Sequence, residues 1–182
     1  MLRRTMLQIL KISSLLVSVI TFSAFAASQS DFTKNIEIDS RYSAVNAIKR
    51  TSIFREDVHI VQGTLTIDAE EVEVIASNGK GREVFVAKGS PATYRQTLDN
   101  GSVISAQANE IQYRVINRTL TLSGQAELQQ DSSKVQSDTI VFNIEKQELV
   151  AQGGNTSEDR VRTIFNPSDF PAINSEQSKE LQ

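Results

Sequence analysis

Apolar and polar residues alternate along most of this chain, and the alternation slips at a recurring place. Three stretches show it: Leu65-Thr66-Ile67-Asp68-Ala69-Glu70-Glu71-Val72-Glu73-Val74, then Ile104-Ser105-Ala106-Gln107-Ala108-Asn109-Glu110-Ile111-Gln112-Tyr113, then Val135-Gln136-Ser137-Asp138-Thr139-Ile140-Val141-Phe142. In each, the buried phase runs to Ala69, Ala108 or Ser137 and resumes three residues on, at Val72, Ile111 or Ile140. Period two marks a strand with one buried face. A step of three throws the second half onto the wrong face unless the strand turns a corner there. Each copy is therefore predicted to be two short strands about a bend, and the chain a stack of bent layers.

A second block precedes two of these units: Phe54-x-Glu56-x-Val58-x-Ile60-x-Gln62 and Leu122-x-Gly124-x-Ala126-x-Leu128-x-Gln130, with a truncated Leu149-x-Ala151-x-Gly153 later. The middle copy is interrupted by Pro91, two residues after Gly89. Proline cannot donate to a strand ladder, so it marks an edge or a bulge and leaves the phase of Tyr94 open. Turn residues cluster at 77–81, 98–101, 117–118, 130–133 and 153–155. Strands are expected from Ile36-Glu37-Ile38 onward and continuously from Ile53 to about Phe165. Residues 27–35 read as polar and loose, and a short helical turn fits Ser40 to Thr51. No long stretch has a helical period.

The first 26 residues stand apart. Arg3, Arg4 and Lys11 precede or open an apolar run from Ile12 to Phe22, and Ala24-Phe25-Ala26 is a small-x-small cleavage site. This is the pattern of a secretory signal peptide, with a run too short to span a bilayer comfortably. Cleavage would leave 156 residues, enough for one domain with a real core. The expected organisation is a signal peptide over 1–26, one β domain over 27–166 and a flexible polar tail over 167–182. Removing the three signal cations leaves 16 Lys and Arg against 22 Asp and Glu, so the net charge moves from −3 to −6. That balance argues against nucleic acid, which calls for a basic face.

Candidate chemistry is sparse. The chain has no cysteine, which removes disulfides, thiolate metal sites and cysteine nucleophiles. Its one histidine, His59, alternates with Val58 and Ile60 and is expected on the solvent side, without a neighbouring nucleophile. The acidic run Asp68, Glu70, Glu71, Glu73 reads as a solvated face rather than a metal site. No phosphate-cradling glycine loop is present. Neither catalytic residue nor metal nor cofactor is called for, and the chain is expected not to be an enzyme.

The apolar positions instead predict a slot. If every layer turns them inward, Val, Ile and Leu face an interior in which small residues at Ala69, Ala108, Gly124 and Ala126 leave room for a lipid chain. Burying a methylene is worth about 0.8 kcal/mol. The expected lining is Ile38, Val58, Ile60, Leu65, Ile67, Val72, Val74, Ile111 and Leu128, with Lys80, Arg82, Lys88 and Arg95 as candidate cations at a wet rim. First and last strands near 36–38 and 161–165 would carry unpaired backbone groups that invite strand addition. Competing readings are a polysaccharide-binding or lyase β-solenoid, and a purely structural β-filament. Three Tyr and no Trp leave little for sugar stacking.

Gln62-Gly63-Thr64-Leu65-Thr66-Ile67-Asp68-Ala69-Glu70-Glu71-Val72, Gly89-Ser90-Pro91-Ala92-Thr93 and Ser137-Asp138-Thr139-Ile140 resemble the OstA/LptA family of periplasmic lipopolysaccharide transport proteins, over about Ile36 to Phe165. The chain departs from that pattern at Glu56-Asp57-Val58 and at Ser40-Arg41. The resemblance implies a β-jellyroll of antiparallel strands, V-shaped in section and open at both ends. It implies a periplasmic bridge that carries lipopolysaccharide from the inner to the outer membrane. It also implies an LptC-like partner at the N-terminal edge, an LptD-like partner at the C-terminal edge, and head-to-tail self-association. By the same resemblance Ile36, Ile38 and Tyr94 lie on the lipid path or at the interface.

Overall fold

The computed structural model describes residues 31–77, 79–156 and 160–165. The signal segment 1–26 and the tail 167–182 lie outside the described residues. Ten strands follow one another: β1 (Glu37–Asp39), β2 (Tyr42–Asn46), β3 (Thr51–Gln62), β4 (Leu65–Ile75), β5 (Val84–Thr97), β6 (Val103–Arg114), β7 (Thr119–Gln130), β8 (Ser133–Asn143), β9 (Glu148–Gln152) and β10 (Arg162–Ile164). All pair antiparallel in one open sheet, ordered β1-β3-β4-β5-β6-β7-β8-β10, with β2 also on β3 and β9 also on β8. The helical content among the described residues is two three-residue 3-10 turns, Asp31–Thr33 and Val115–Asn117.

The three-residue slip is a corner, and it recurs in every long strand. Register shifts separate Arg55 from Val58 in β3, Asp68 from Glu71 in β4, Lys88 from Ala92 in β5, Gln107 from Glu110 in β6 and Ser123 from Ala126 in β7. Bulges of this kind bend a strand and sharpen its twist. Five in line fold the single sheet into two leaves, a jellyroll that is V-shaped in section. Leaf one holds β1, 58–62, 65–69, 92–97, 103–108, 126–130, 133–137 and β10. Leaf two holds β2, 51–55, 71–75, 84–88, 110–114, 119–123, 139–143 and β9. The sheet does not close on itself, so both ends stay open.

Local chemistry suits the corner. Glu56 and Asp57 take φ of 64° and 59°, and Gly124 and Gln125 take 74° and 53°. Pro91 falls in the β5 bulge between Lys88 and Ala92, opposite no ladder partner on either side. A Cβ on Gly89 would stand 2.7 Å from the Ala92 nitrogen, so the chain crosses itself closely there. The Glu56-Asp57 departure sits in the β3 bulge. Its Arg41–Asp57 ion pair is exposed at 3.8 Å, and pairs of that kind contribute little.

Two sequence readings of the N-terminal region change. The helical turn considered for Ser40 to Thr51 gives way to strand β2 at its centre, paired with β3 from Tyr42↔Arg55 to Asn46↔Thr51, and to a tight turn over 47–50. All five of its residues are exposed. An edge strand with no buried face has no period-two signal to read. The segment read as loose holds the Asp31–Thr33 turn, tied to the sheet by side chains described below.

Candidate functional site

Between the leaves lies an apolar interior built as rows that cross the strands. In leaf one, directly paired residues make the row Ile38–Ile60–Ile67–Tyr94–Ala106–Leu128–Val135. In leaf two, one row runs Val72–Ala87–Ile111–Leu122–Ile140–Ala151 and a second runs Val74–Phe85–Tyr113–Leu120–Phe142–Leu149. The strand period puts one face inward; antiparallel register then aligns those faces from β1 to β10. The leaf-one row thus runs from β1 to β8, and the two leaf-two rows from β4 to β9.

The structure brings the predicted lining residues to this interior. Val58, Ile60, Leu65, Ile67, Val72, Tyr94, Ile111 and Leu128 are all buried, none more than 3% exposed. Ile38 and Val74 are half-buried against them. Ile36 sits at the rim, 37% exposed, before β1. Tyr94, whose phase the sequence left open, points inward. Phe85, Ile104, Tyr113, Leu120, Leu122, Ile140 and Phe142 complete the interior. Their alternation was in the sequence, but nothing there ranked them as lining.

The expected vacant slot is not what the side chains form. They meet across the interior, and an apolar opening between them measures ≈ 10 Å³, room for about one water. It is lined by Ile36, Ile60, Gln62, Leu65, Ile67, Phe85 and Tyr113, at the N-terminal end. The small residues do not enlarge it. Val58↔Ala69, Ala92↔Ala108 and Ala126↔Ser137 are the first pairs beyond each bulge. They are small because the leaves converge at the apex, and the aromatics stand further out where the leaves diverge.

The wide side of the V is bridged by the N-terminal segment. The Asp31 carboxylate accepts from the Thr64 backbone N–H (2.8 Å), the Thr64 hydroxyl (2.6 Å) and Gln96 Nε2 (3.0 Å), all on leaf one. Gln62 Nε2 donates to the Lys34 carbonyl at 3.1 Å. Phe32 lies 4.2 Å beneath the guanidinium of Arg118, at the tip of leaf two, and packs on the core. Burial pushes the Asp31 carboxyl up, but its hydrogen bonds from Thr64 and Gln96 and the Lys34 charge outweigh burial and hold it below its ordinary value. Gly63 makes this approach possible: its φ is +64°, and a Cβ there would stand 2.0 Å from Asp31 Oδ1.

The remaining candidates are on the outside. His59 Nδ1 meets Asp68 Oδ1 at 2.6 Å on the solvent face, as its phase required. Lys88 and Arg95 alternate with buried Ala87 and Tyr94 and so face away from the interior. Lys80 and Arg82 lie in the β4–β5 loop. Arg118, which sequence reading passed over, is a cation at the wide side. Among the described residues no three His, Asp or Glu converge as metal ligands. No helix among them is long and apolar enough to cross a membrane.

Residues 37–148 match the family model described as LptA/(LptD N-terminal domain) LPS transport protein. The chain belongs to this family. It is 34% identical over 162 residues to the lipopolysaccharide export system protein LptA of Haemophilus influenzae, covering 88% of this chain and 93% of that one. It is 32% identical over 159 residues to LptA of Escherichia coli K12, covering 87% and 83%. The crystal structure of LptH, described as the LptA homologous periplasmic component of the lipopolysaccharide transport device of Pseudomonas aeruginosa, superposes with a TM-score of 0.69. That match is at 23% identity and covers 76% of this chain and all of that one. The superposition bears out the all-β jellyroll.

Proposed function

We propose that this protein is a periplasmic carrier of lipopolysaccharide, acting without chemical turnover. Acyl chains lie between the two leaves against the cross-strand rows, and sugars and phosphates stay outside at the wide side. The observation that carries this reading is that apolar rows cross most of the sheet between its two open edges, from β1 to β8 in leaf one and from β4 to β9 in leaf two, in a chain of this family. Lipid moving along such rows needs the leaves to part, because close-packed interiors hold no free volume for a chain. The bulges provide a line of hinges for that motion.

The open edges support the choice of partners. Tyr42, Val45 and Ile48 leave the N-terminal edge apolar and exposed, and Val150, Val161, Ile164 and Phe165 do the same at the C-terminal edge. An LptC-like inner-membrane protein docks on the first edge and an LptD-like outer-membrane protein on the last, and copies join head to tail between them. The glycan-binding alternative weakens further: Tyr94 and Tyr113 are buried in the interior, leaving Tyr42 as the exposed tyrosine.

A photo-crosslinker at position 60 should capture lipopolysaccharide in cells making the full transport machinery. The same group at position 59, one residue away on the opposite face, should not. Equal labelling at both positions would overturn the interior as the lipid path.

A further inference from the structure

Two tyrosines face the interior, and they are not equivalent. Tyr94 in leaf one is satisfied: its hydroxyl donates to Gln96 Oε1 at 2.6 Å, and Gln96 passes the chain on to Asp31. Tyr113 in leaf two is 2% exposed, and its hydroxyl has no hydrogen-bond partner among the described residues. Buried hydroxyls nearly always find a partner, and an unmatched one is costly. Packing does not demand this hydroxyl. The same cross-strand row carries Phe85 and Phe142, and the Tyr113 ring lies 6.3 Å from the Phe85 ring, tilted by 31°, a contact phenylalanine would make equally well. Tyr113 also lines the opening at the N-terminal end beside Ile36, Ile60 and Gln62.

Resting on the lipid-carrier reading, we propose that Tyr113 is a specificity-determining residue whose hydroxyl donates to the ester or amide carbonyl at the root of an acyl chain. The partner fits the place. A carbonyl at the chain root lies where apolar chain meets polar sugar, and Tyr113 lies between the apolar row and the polar cluster of Gln62, Gln96 and Asp31. Burial pushes the Tyr113 hydroxyl up to about 12, the Arg118 charge lowering it and the Asp31 charge raising it in smaller measure, so it remains a donor throughout the physiological range. The hydroxyl then selects acylated sugars over ligands that offer a hydrocarbon chain alone, at the point where the chain enters.

The test compares wild type and Tyr113→Phe in binding to N-dodecanoylglucosamine and to dodecyl glucoside, below their micelle concentrations. Both probes carry a twelve-carbon chain on a hexose; one attaches it through an amide carbonyl at C2 and the other through an ether oxygen at C1, which offers no carbonyl. Wild type should prefer the amide. Tyr113→Phe should lose about fivefold to tenfold in affinity for the amide probe, the worth of one hydrogen bond, and nothing for the glucoside. Its thermal midpoint should equal or exceed that of wild type, since an unpaired hydroxyl has been removed. Equal loss for both probes, loss for neither, or a lowered midpoint would overturn the assignment of Tyr113. Failure of wild type to bind either probe would instead overturn the lipid-carrier reading on which it rests.

Discussion

Asp31 shows how much one carboxylate can organise. Three hydrogen bonds converge on it from two residues of leaf one, and its neighbour Phe32 reaches Arg118 of leaf two. Because its folded pKa lies below the ordinary 3.8, the anchor's contribution is complete above that pH and is lost as pH falls through the lower folded value. Amide exchange at Thr64 should therefore accelerate below about pH 4 ahead of global unfolding followed by circular dichroism. Asp31→Asn should abolish that pH dependence; a variant with the wild-type profile would show that another group titrates. None of this was legible in the sequence. Residues 27–35 read as loose because a 3-10 turn of three residues has no period, and Asp31 meets Gln96 across 65 positions of chain.

At the scale of the element, the bent strand is the unit of construction. The slip in alternation announced it in β4, β6 and β8, and the structure repeats it in β3, β5 and β7, where Glu56-Asp57, Gly89-Ser90-Pro91 and Gly124-Gln125 obscure the phase. A corner in β5 depends on Gly89, whose added Cβ would meet backbone atoms of Pro91 and Ala92 within 3 Å. Gly89→Ala should cost roughly 1–3 kcal/mol, read as a lowered urea midpoint with unchanged slope. A variant as stable as wild type would show that the corner yields without cost. The same logic corrects the reading of the alanines. Sequence marks a position as small and inward, and only the folded corner shows that Ala92 and Ala108 are small because two leaves meet there.

The whole molecule is an open sheet folded once, with unpaired edges at both ends. In leaf two, β2 ends one side with Val45 exposed at 73%, and β9 ends the other with Val150 exposed at 68%. Head-to-tail joining brings such edges together, and heterologous contacts of that kind extend without closing. Val45→Lys and Val150→Lys should each be monomeric in size-exclusion chromatography at concentrations where wild type elongates. Their mixture should form dimers through the one intact edge that each retains. Wild-type elongation by either variant alone would remove these edges from the joint. The sequence by itself determined the strand class, the inward face of each strand and the recurrence of a bend, because alternation is a local consequence of backbone geometry. It also carried family membership. Only the tertiary structure decided that the inward faces align into continuous rows and that the leaves close on one another. The same holds for the N-terminal bridge across the wide side and for the unpaired hydroxyl of Tyr113. Those are properties of distance between residues far apart in the chain, and no period along the sequence encodes distance.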